Sequence, residues 1–389
     1  MVDFDFTNHC CGCGVCVDAC PRNCISIVED SKDFRIPKVN TDECVNCGLC
    51  EKVCPVLNSE APKGVEKLLC CYNKNEEQRH EGSSGSIFVL FADSVISDDG
   101  VVIGAAFDEN LQLKHQVAHT MEEVKPLMKS KYIQSDTTGI FKQVKNFLKE
   151  EKQVLFVGTP CQCQALYNYL GKKRYEGLFL VDFICHGVPS QKLFDKAVQS
   201  YQQRHNCKVK SFSFREKAND LLRCYSMTYI LNDGGAVKKE VGHTWDFPFY
   251  NGYLKYGVFR ESCYECPFAR RERVSDITLG DFWHLTKIKK EITDFHKGYS
   301  MVIVNTQKGI NYIESITPLI VKEVYPIEIA EQNNFAYVHP TEKKLLHKLF
   351  IRDYNKKPFC EIERKYLCYP YGLNIIEKII NRILVKLKF

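Results

Sequence analysis

At 389 residues the chain is long enough for two or three domains of roughly 150 residues each, which excludes a disulfide-stapled miniprotein. Hydrophobic residues at 44% and charged residues at 26% are ordinary for a globular protein and exclude a collagenous or disordered chain. The 53 Lys+Arg against 48 Asp+Glu leave only +5 with no dominant basic block, so no nucleic-acid partner is expected.

The opening residues Met1 to Asn8 are acidic and lack a secretory leader pattern. No stretch approaches the roughly 18 to 20 apolar residues that a spanning helix needs, so a cytoplasmic location is expected. In a reducing cytosol, 21 cysteines read as metal ligands or catalytic thiols before disulfides. Twelve of them precede residue 72 and the next is Cys161, which sets off a small metal domain over residues 1–58. Within it Cys10-x2-Cys13-x2-Cys16-x3-Cys20-Pro21 recurs as Cys44-x2-Cys47-x2-Cys50-x3-Cys54-Pro55. Zinc also takes Cys-x2-Cys pairs. The third cysteine and the x3-Cys-Pro ending, however, form the bacterial ferredoxin run, in which each motif's fourth cysteine serves the other cluster. The domain therefore resembles two-cluster ferredoxins, with Cys10, Cys13, Cys16 and Cys54 on one 4Fe-4S cluster and Cys44, Cys47, Cys50 and Cys20 on the other. Cys11 lies outside this register and is read as a spare thiol.

Asn58 to Gly64 is a polar, Pro/Gly-containing linker. After it, strand-like runs (Leu68 to Tyr72, Val101 to Phe107, Val154 to Gly158, Leu178 to Cys185) alternate with helical patterns such as Ile140 to Lys149 and Gln191 to Gln203. A later group of β-like segments comprises Val209 to Phe214, Tyr225 to Leu231, Asp276 to Leu279 and Ser300 to Val304. The expected fold class is α+β: a small two-cluster ferredoxin domain, then a mixed α/β domain.

Cysteines recur in that larger region as Gly158-Thr159-Pro160-Cys161, Ile184-Cys185-His186-Gly187 and Cys263-Tyr264-Glu265-Cys266-Pro267, the last followed by Ser275 to Trp283. Two of them end apolar runs and enter Gly/Pro turns, where α/β sheets present reactive groups. Four thiols match the ligand count of one further 4Fe-4S cluster, Cys161, Cys185, Cys263 and Cys266, although Cys161 and Cys185 also read as small buried hydrophobes. Cys163, two residues from Cys161, is an alternative ligand.

Together with Gly82-Ser83-Ser84-Gly85-Ser86 and Ser130-Lys131-Tyr132-Ile133-Gln134-Ser135, these blocks resemble the coenzyme F420 hydrogenase/dehydrogenase beta-subunit family of iron–sulfur flavoproteins, over about residues 66–330. The resemblance implies a third cluster beside an FAD. It also implies flavin contacts from Gly82, Ser83, Ser84, Gly85 and Ser86, from Lys131, Tyr132, Gln134 and Ser135, and from Gly158, Thr159 and Pro160. On this reading residues 66–150 are the first part of the flavin-binding domain and 151–335 the part carrying the third cluster site, with a helical tail over 336–389.

His186 suits proton delivery or a plain hydrogen bond in its turn. Asp281 is read as acid, base or orienter, or as a cap. Arg270, Arg271 and Arg273 read as an anion site or as an ion-paired surface. The tail Ile375 to Phe389 repeats apolar residues at helical spacing between basic ones and is read as packing on its own domain or a partner subunit, or as a peripheral membrane contact.

The expected function is electron passage between the ferredoxin-type clusters and FAD, with two-electron exchange with a soluble organic acceptor, deazaflavin F420 being the family analogy. A redox partner protein or reduced ferredoxin would be the one-electron partner. The rival reading is an electron-transfer subunit of a larger hydrogenase or dehydrogenase complex, without a substrate of its own.

Overall fold

The computed structural model describes residues 9–368 except 219 and 220. The segments Met1 to Asn8 and Ile375 to Phe389 lie outside the described residues.

The two cysteine runs fold as near copies. Each enters a one-turn helix, Val15–Ala19 or Leu49–Val53, through a left-handed glycine, Gly14 and Gly48 both at φ 71, and leaves through an extended Cys20 or Cys54. Two residues earlier the chain is left-handed again, at Gly12 (φ 66) and Asn46 (φ 51), residue types that tolerate this region. Antiparallel strands β1 (Ile25–Glu29) and β2 (Arg35–Val39) join the copies.

The remainder is built on a mixed eight-stranded sheet. Its strands are β3 (Lys67–Asn73), β4 (Val101–Phe107), β5 (Leu113–Ala118), β6 (Val154–Gly158) and β7 (Leu178–Phe183). Next in the chain come β8 (Cys207–Ala218), β9 (Leu221–Leu231) and β10 (Val237–His243), which form a separate antiparallel sheet. The main sheet then resumes with β11 (Ile277–Asp281), β12 (Ser300–Val304) and β13 (Ile320–Tyr325), in the order β13-β3-β12-β11-β7-β6-β4-β5. Its centre, β11-β7-β6-β4, is parallel, and the flanking pairings are antiparallel. Strands on either side of residue 150 pair with each other (β4 with β6), so the main sheet draws on both parts of the larger region.

Strands such as β4 are apolar on both faces because helices cover both, as parallel sheets require. Phe91 of helix Ile87–Ser97 packs with Val102 and Phe179 on one face. On the other, Phe141 and Leu166 of helices Ile140–Lys149 and Pro160–Tyr169 pack with Ile103 and Phe156. In the tail region, helix Leu345–Tyr354 joins the core of the three-stranded sheet through Leu346, Phe350 and Tyr354. No helix among the described residues is long and apolar enough to cross a membrane.

The polar stretch after the cysteine domain is pinned rather than loose. Asn168 donates to Asn58 O at 2.8 Å, Gln164 donates to Glu60 O at 3.1 Å, and Val65 N–H donates to Asn305 O at 2.9 Å. Asp18, buried in the first cysteine copy, accepts the backbone N–H groups of Gly139 (2.7 Å), Phe141 (3.0 Å) and Lys142 (3.4 Å). It thus caps helix Ile140–Lys149 of the neighbouring lobe, whose own N-cap, Gly139, has no side chain to do so.

Candidate functional site

The thiols of the two cysteine runs lie close to one another. Cys16 lies within electrostatic reach of Cys10, Cys54 and Cys50, and Cys13 within reach of Cys16 and Cys54. Cys20, Cys44, Cys47 and Cys50 line one small cavity. Burial, then repulsion from Cys10 and Cys54, pushes the Cys16 thiol up to about 12, so it would ionise only with a cation in place. Among the described residues no three His, Cys, Asp or Glu side chains gather tightly enough to grip a single metal ion. The fit to iron–sulfur therefore rests on the all-thiol donor set and its paired left-handed loops.

The other sequence-flagged residues converge because β6, β7 and β11 run parallel, so their carboxyl ends share one edge of the sheet. There Thr159 to Cys161, Ile184 to His186 and Asp281 border one cavity of about 490 Å³. Gly82, Ser83, Ser84 and Ser86 line it from the loop before helix Ile87–Ser97, and Lys131, Tyr132, Gln134 and Ser135 from the loop after β5. Cys161, Cys185, Cys263 and Cys266 all lie on its wall. Each is within reach of the other three: burial, then Cys161, lifts Cys185 to about 12, and burial, then Cys161, lifts Cys266 to about 11.

Gly85 is the exception among the residues flagged for flavin contact, for it does not line the cavity. Its N–H donates to Ser300 Oγ at 2.9 Å, and a Cβ there would strike β3. Cys163 is turned into the core, its thiol directed at Val181 O (3.5 Å). Two of the flagged arginines are ion-paired, Arg273 with buried Asp182 at 3.4 Å and Arg271 with Glu331 and Glu66, while Arg270 donates to the backbone oxygens of Glu272 and Ser59. Cys11, read as spare, lies within electrostatic reach of Cys10, Cys13 and Cys161 and so stands between the cysteine domain and the cavity cysteines. The His186 ring stacks on Tyr256 at 5.9 Å.

Residues in β8, not flagged from the sequence, hold residues of the wall. Arg215 forms a bidentate ion pair with Asp281 (2.9 and 3.0 Å), donates to Tyr132 OH at 3.0 Å, and lies 5.4 Å from the Trp283 ring centre. Ser84 also donates to Asp281. An Asp281 so engaged orients its neighbours and is poorly placed as a base. Lys217 donates to Ser84 O at 2.6 Å, and burial, then Arg79 and Arg215, pulls its amine down to about 7. Burial, then Lys129, likewise pulls Lys131 down to about 7, its ammonium held by Met128 O and Pro126 O. Ser86 Oγ is buried with no partner among the described residues.

Paired cysteine loops joined to a cysteine-walled cavity define an iron–sulfur electron-transfer protein. Residues 9–58 match the 4Fe-4S dicluster domain, and residues 151–328 match the family described as the C terminus of the coenzyme F420 hydrogenase/dehydrogenase beta subunit. The chain is thus similar to that family over residues 151–328, less than half of its length, and carries the dicluster domain at its N-terminal side. Among solved structures, a chain of the xenon-derivatised F420-reducing [NiFe] hydrogenase complex from Methanosarcina barkeri is similar over 71% of this chain and 91% of its own, at 16% identity and a TM-score of 0.45. No curated protein is significantly similar to the chain.

Proposed function

We propose that this protein is an iron–sulfur flavoenzyme that couples one-electron transfer through its cysteine domain to two-electron exchange with a soluble organic acceptor. The observation that carries the reading is the single cavity with four mutually close cysteines on its wall and the Gly/Ser loop beside them. Cys10, Cys13, Cys16 and Cys54 would hold one 4Fe-4S cluster, Cys20, Cys44, Cys47 and Cys50 a second, and Cys161, Cys185, Cys263 and Cys266 a third. Bound there, the clusters would supply single-electron steps, and FAD would join them to a two-electron exchange.

The chain's own residues fit these groups. The start of helix Ile87–Ser97, with the orphan Ser86 hydroxyl, suits a flavin phosphate. Lys131 and Lys217, with amines near 7, would place adjustable positive charge beside the ring system. Arg215 and Asp281 hold Tyr132 and Ser84 in place, and His186, on the cavity wall, would offer a proton. At the outer end Cys47 is exposed, with Val45, Leu49 and Leu57 exposed around the same loops, a surface suited to a redox partner protein or reduced ferredoxin. The deazaflavin coenzyme named by the family is the first acceptor to try.

Iron, acid-labile sulfide and flavin are counted after anaerobic purification of the full chain. The reading expects about 12 irons and one FAD per chain. About 8 irons would return the cavity cysteines to plain thiols, and a chain without flavin would overturn the two-electron step.

A further inference from the structure

We propose that Arg260 is the internal counter-charge of the cluster on Cys10, Cys13, Cys16 and Cys54, and that it raises that cluster's reduction potential. The inference rests on the proposal that these four thiolates hold a 4Fe-4S cube. It adds a role for a residue outside the cysteine motifs.

Four arginines are buried among the described residues: Arg79, Arg215, Arg260 and Arg273. Three have a carboxylate partner, Arg79 with Asp294 at 3.2 Å, Arg215 with Asp281 at 2.9 Å and Arg273 with Asp182 at 3.4 Å. Arg260 is 2% exposed and has none among the described residues. Its hydrogen bonds go to neutral oxygens: Cys10 O at 3.0 Å, Arg35 O at 2.6 Å and Gln134 Oε1 at 2.7 Å. Its Nε is buried without a partner. The carboxylate on that side, Asp136, is already committed to Arg35 at 2.6 Å.

A guanidinium keeps its charge, and an unpaired buried charge costs more than neutral hydrogen bonds return. A missing negative group is therefore implied, and the position of Arg260 says where it belongs. The guanidinium sits against the backbone of the first cysteine loop: a Cβ on Gly12 would lie 2.6 Å from Nη2, and the left-handed φ of +66 there also selects glycine. Gln134, which accepts from Arg260, donates to Cys11 O and Gly12 O at 3.0 Å, so the loop is clasped from both sides. A four-thiolate cube is anionic in both redox states and gains one further negative charge on reduction. A fixed cation beside it stabilises the reduced state more and so raises the potential.

Anaerobic redox titration followed by electron paramagnetic resonance, on the full chain and on Arg260→Gln and Arg260→Lys, tests this. For the Gln variant the expected result is that one cluster becomes at least tenfold harder to reduce, about 59 mV for one electron, while the others hold. The Lys variant, which keeps the charge and loses the fork, should stay nearer the wild-type value. Unchanged midpoints in an iron-replete Gln variant would overturn the proposal, as would a Lys variant displaced as far as Gln. Should the Gln variant lose iron, retention of that iron by Lys supports the charge role and its loss overturns it. A wild-type chain whose first motif carries no iron would overturn the cluster reading itself, which separates the two failures.

Discussion

Asp281→Asn removes one charge from the cavity wall while keeping the side chain's shape. Arg215 is 4% exposed and Asp281 21%, with two short hydrogen bonds between them. Charges about 4 Å apart interact by about 4 kcal/mol at an effective dielectric constant near 20. The partial exposure of Asp281 reduces this to about 2–3 kcal/mol, within the range for orphaning one member of a mostly buried pair. The loss should fall with Arg215→Met already present, because the cation that needed Asp281 is gone. Urea unfolding of the anaerobically purified chain would report it through tryptophan fluorescence, since Trp283 is one of only two tryptophans and lies beside Arg215. A double-mutant coupling below about 0.5 kcal/mol would refute the claim that the pair organises this wall.

Cys161→Ala should remove about four irons per chain, whereas Cys163→Ala should leave the iron content unchanged; the reverse pattern in an iron assay would reassign the ligand. Asp18→Ala should weaken the docking of the cysteine domain by about 1–2 kcal/mol, read as faster protease cleavage within residues 59–66, and unaltered cleavage would show the cap to be dispensable. His115, buried beneath the cavity with Nε2 3.1 Å from Val157 O, has its ring pulled down to about 4 by burial. It is neutral when folded and takes up a proton when unfolded, so stability present above about pH 6.5 should drain as pH falls toward about 4. The loss should reach about 2 kcal/mol near pH 5. His115→Phe should remove that part of the acid sensitivity in pH-dependent denaturation, and an unchanged profile would place the loss elsewhere.

The cysteine domain was legible because its spacing is itself the structure: two identical x2-x2-x3-Pro runs can wrap only the same kind of loop. β4, β6 and β12 also have the bounds their apolar runs suggested, and helix Ile140–Lys149 matches its pattern. The cavity was legible in pieces, since Gly158 to Cys161, Cys185 and Asp281 each follow or end a strand. What brings them together is parallel pairing between segments far apart in the chain, which local pattern does not carry. Arg215 and Lys217 escaped notice because Phe212-Ser213-Phe214-Arg215-Glu216-Lys217 reads as a strand with one polar face. Tertiary packing buries that face against Asp281 and Ser84. Gly85 is selected for a different reason from its neighbours: they face the cavity on both sides, while Gly85 itself is needed where the loop presses on β3.

The clasp between the lobes bears on how fast the protein can work. Arg260, Gln134, Ser262 and Thr137 all bind carbonyls of Cys10 to Cys13, and Asp18 reaches the other way. A carrier domain that swings on a tether has a throughput governed by the medium it moves through. Here, on the proposed cluster assignment, passage from the first loop to Cys161 would cross a gap held constant by that clasp, with Cys11 beside both. Thickening the solvent with sucrose would then slow the arrival of partners at the outer loops and leave the internal passage at its own pace.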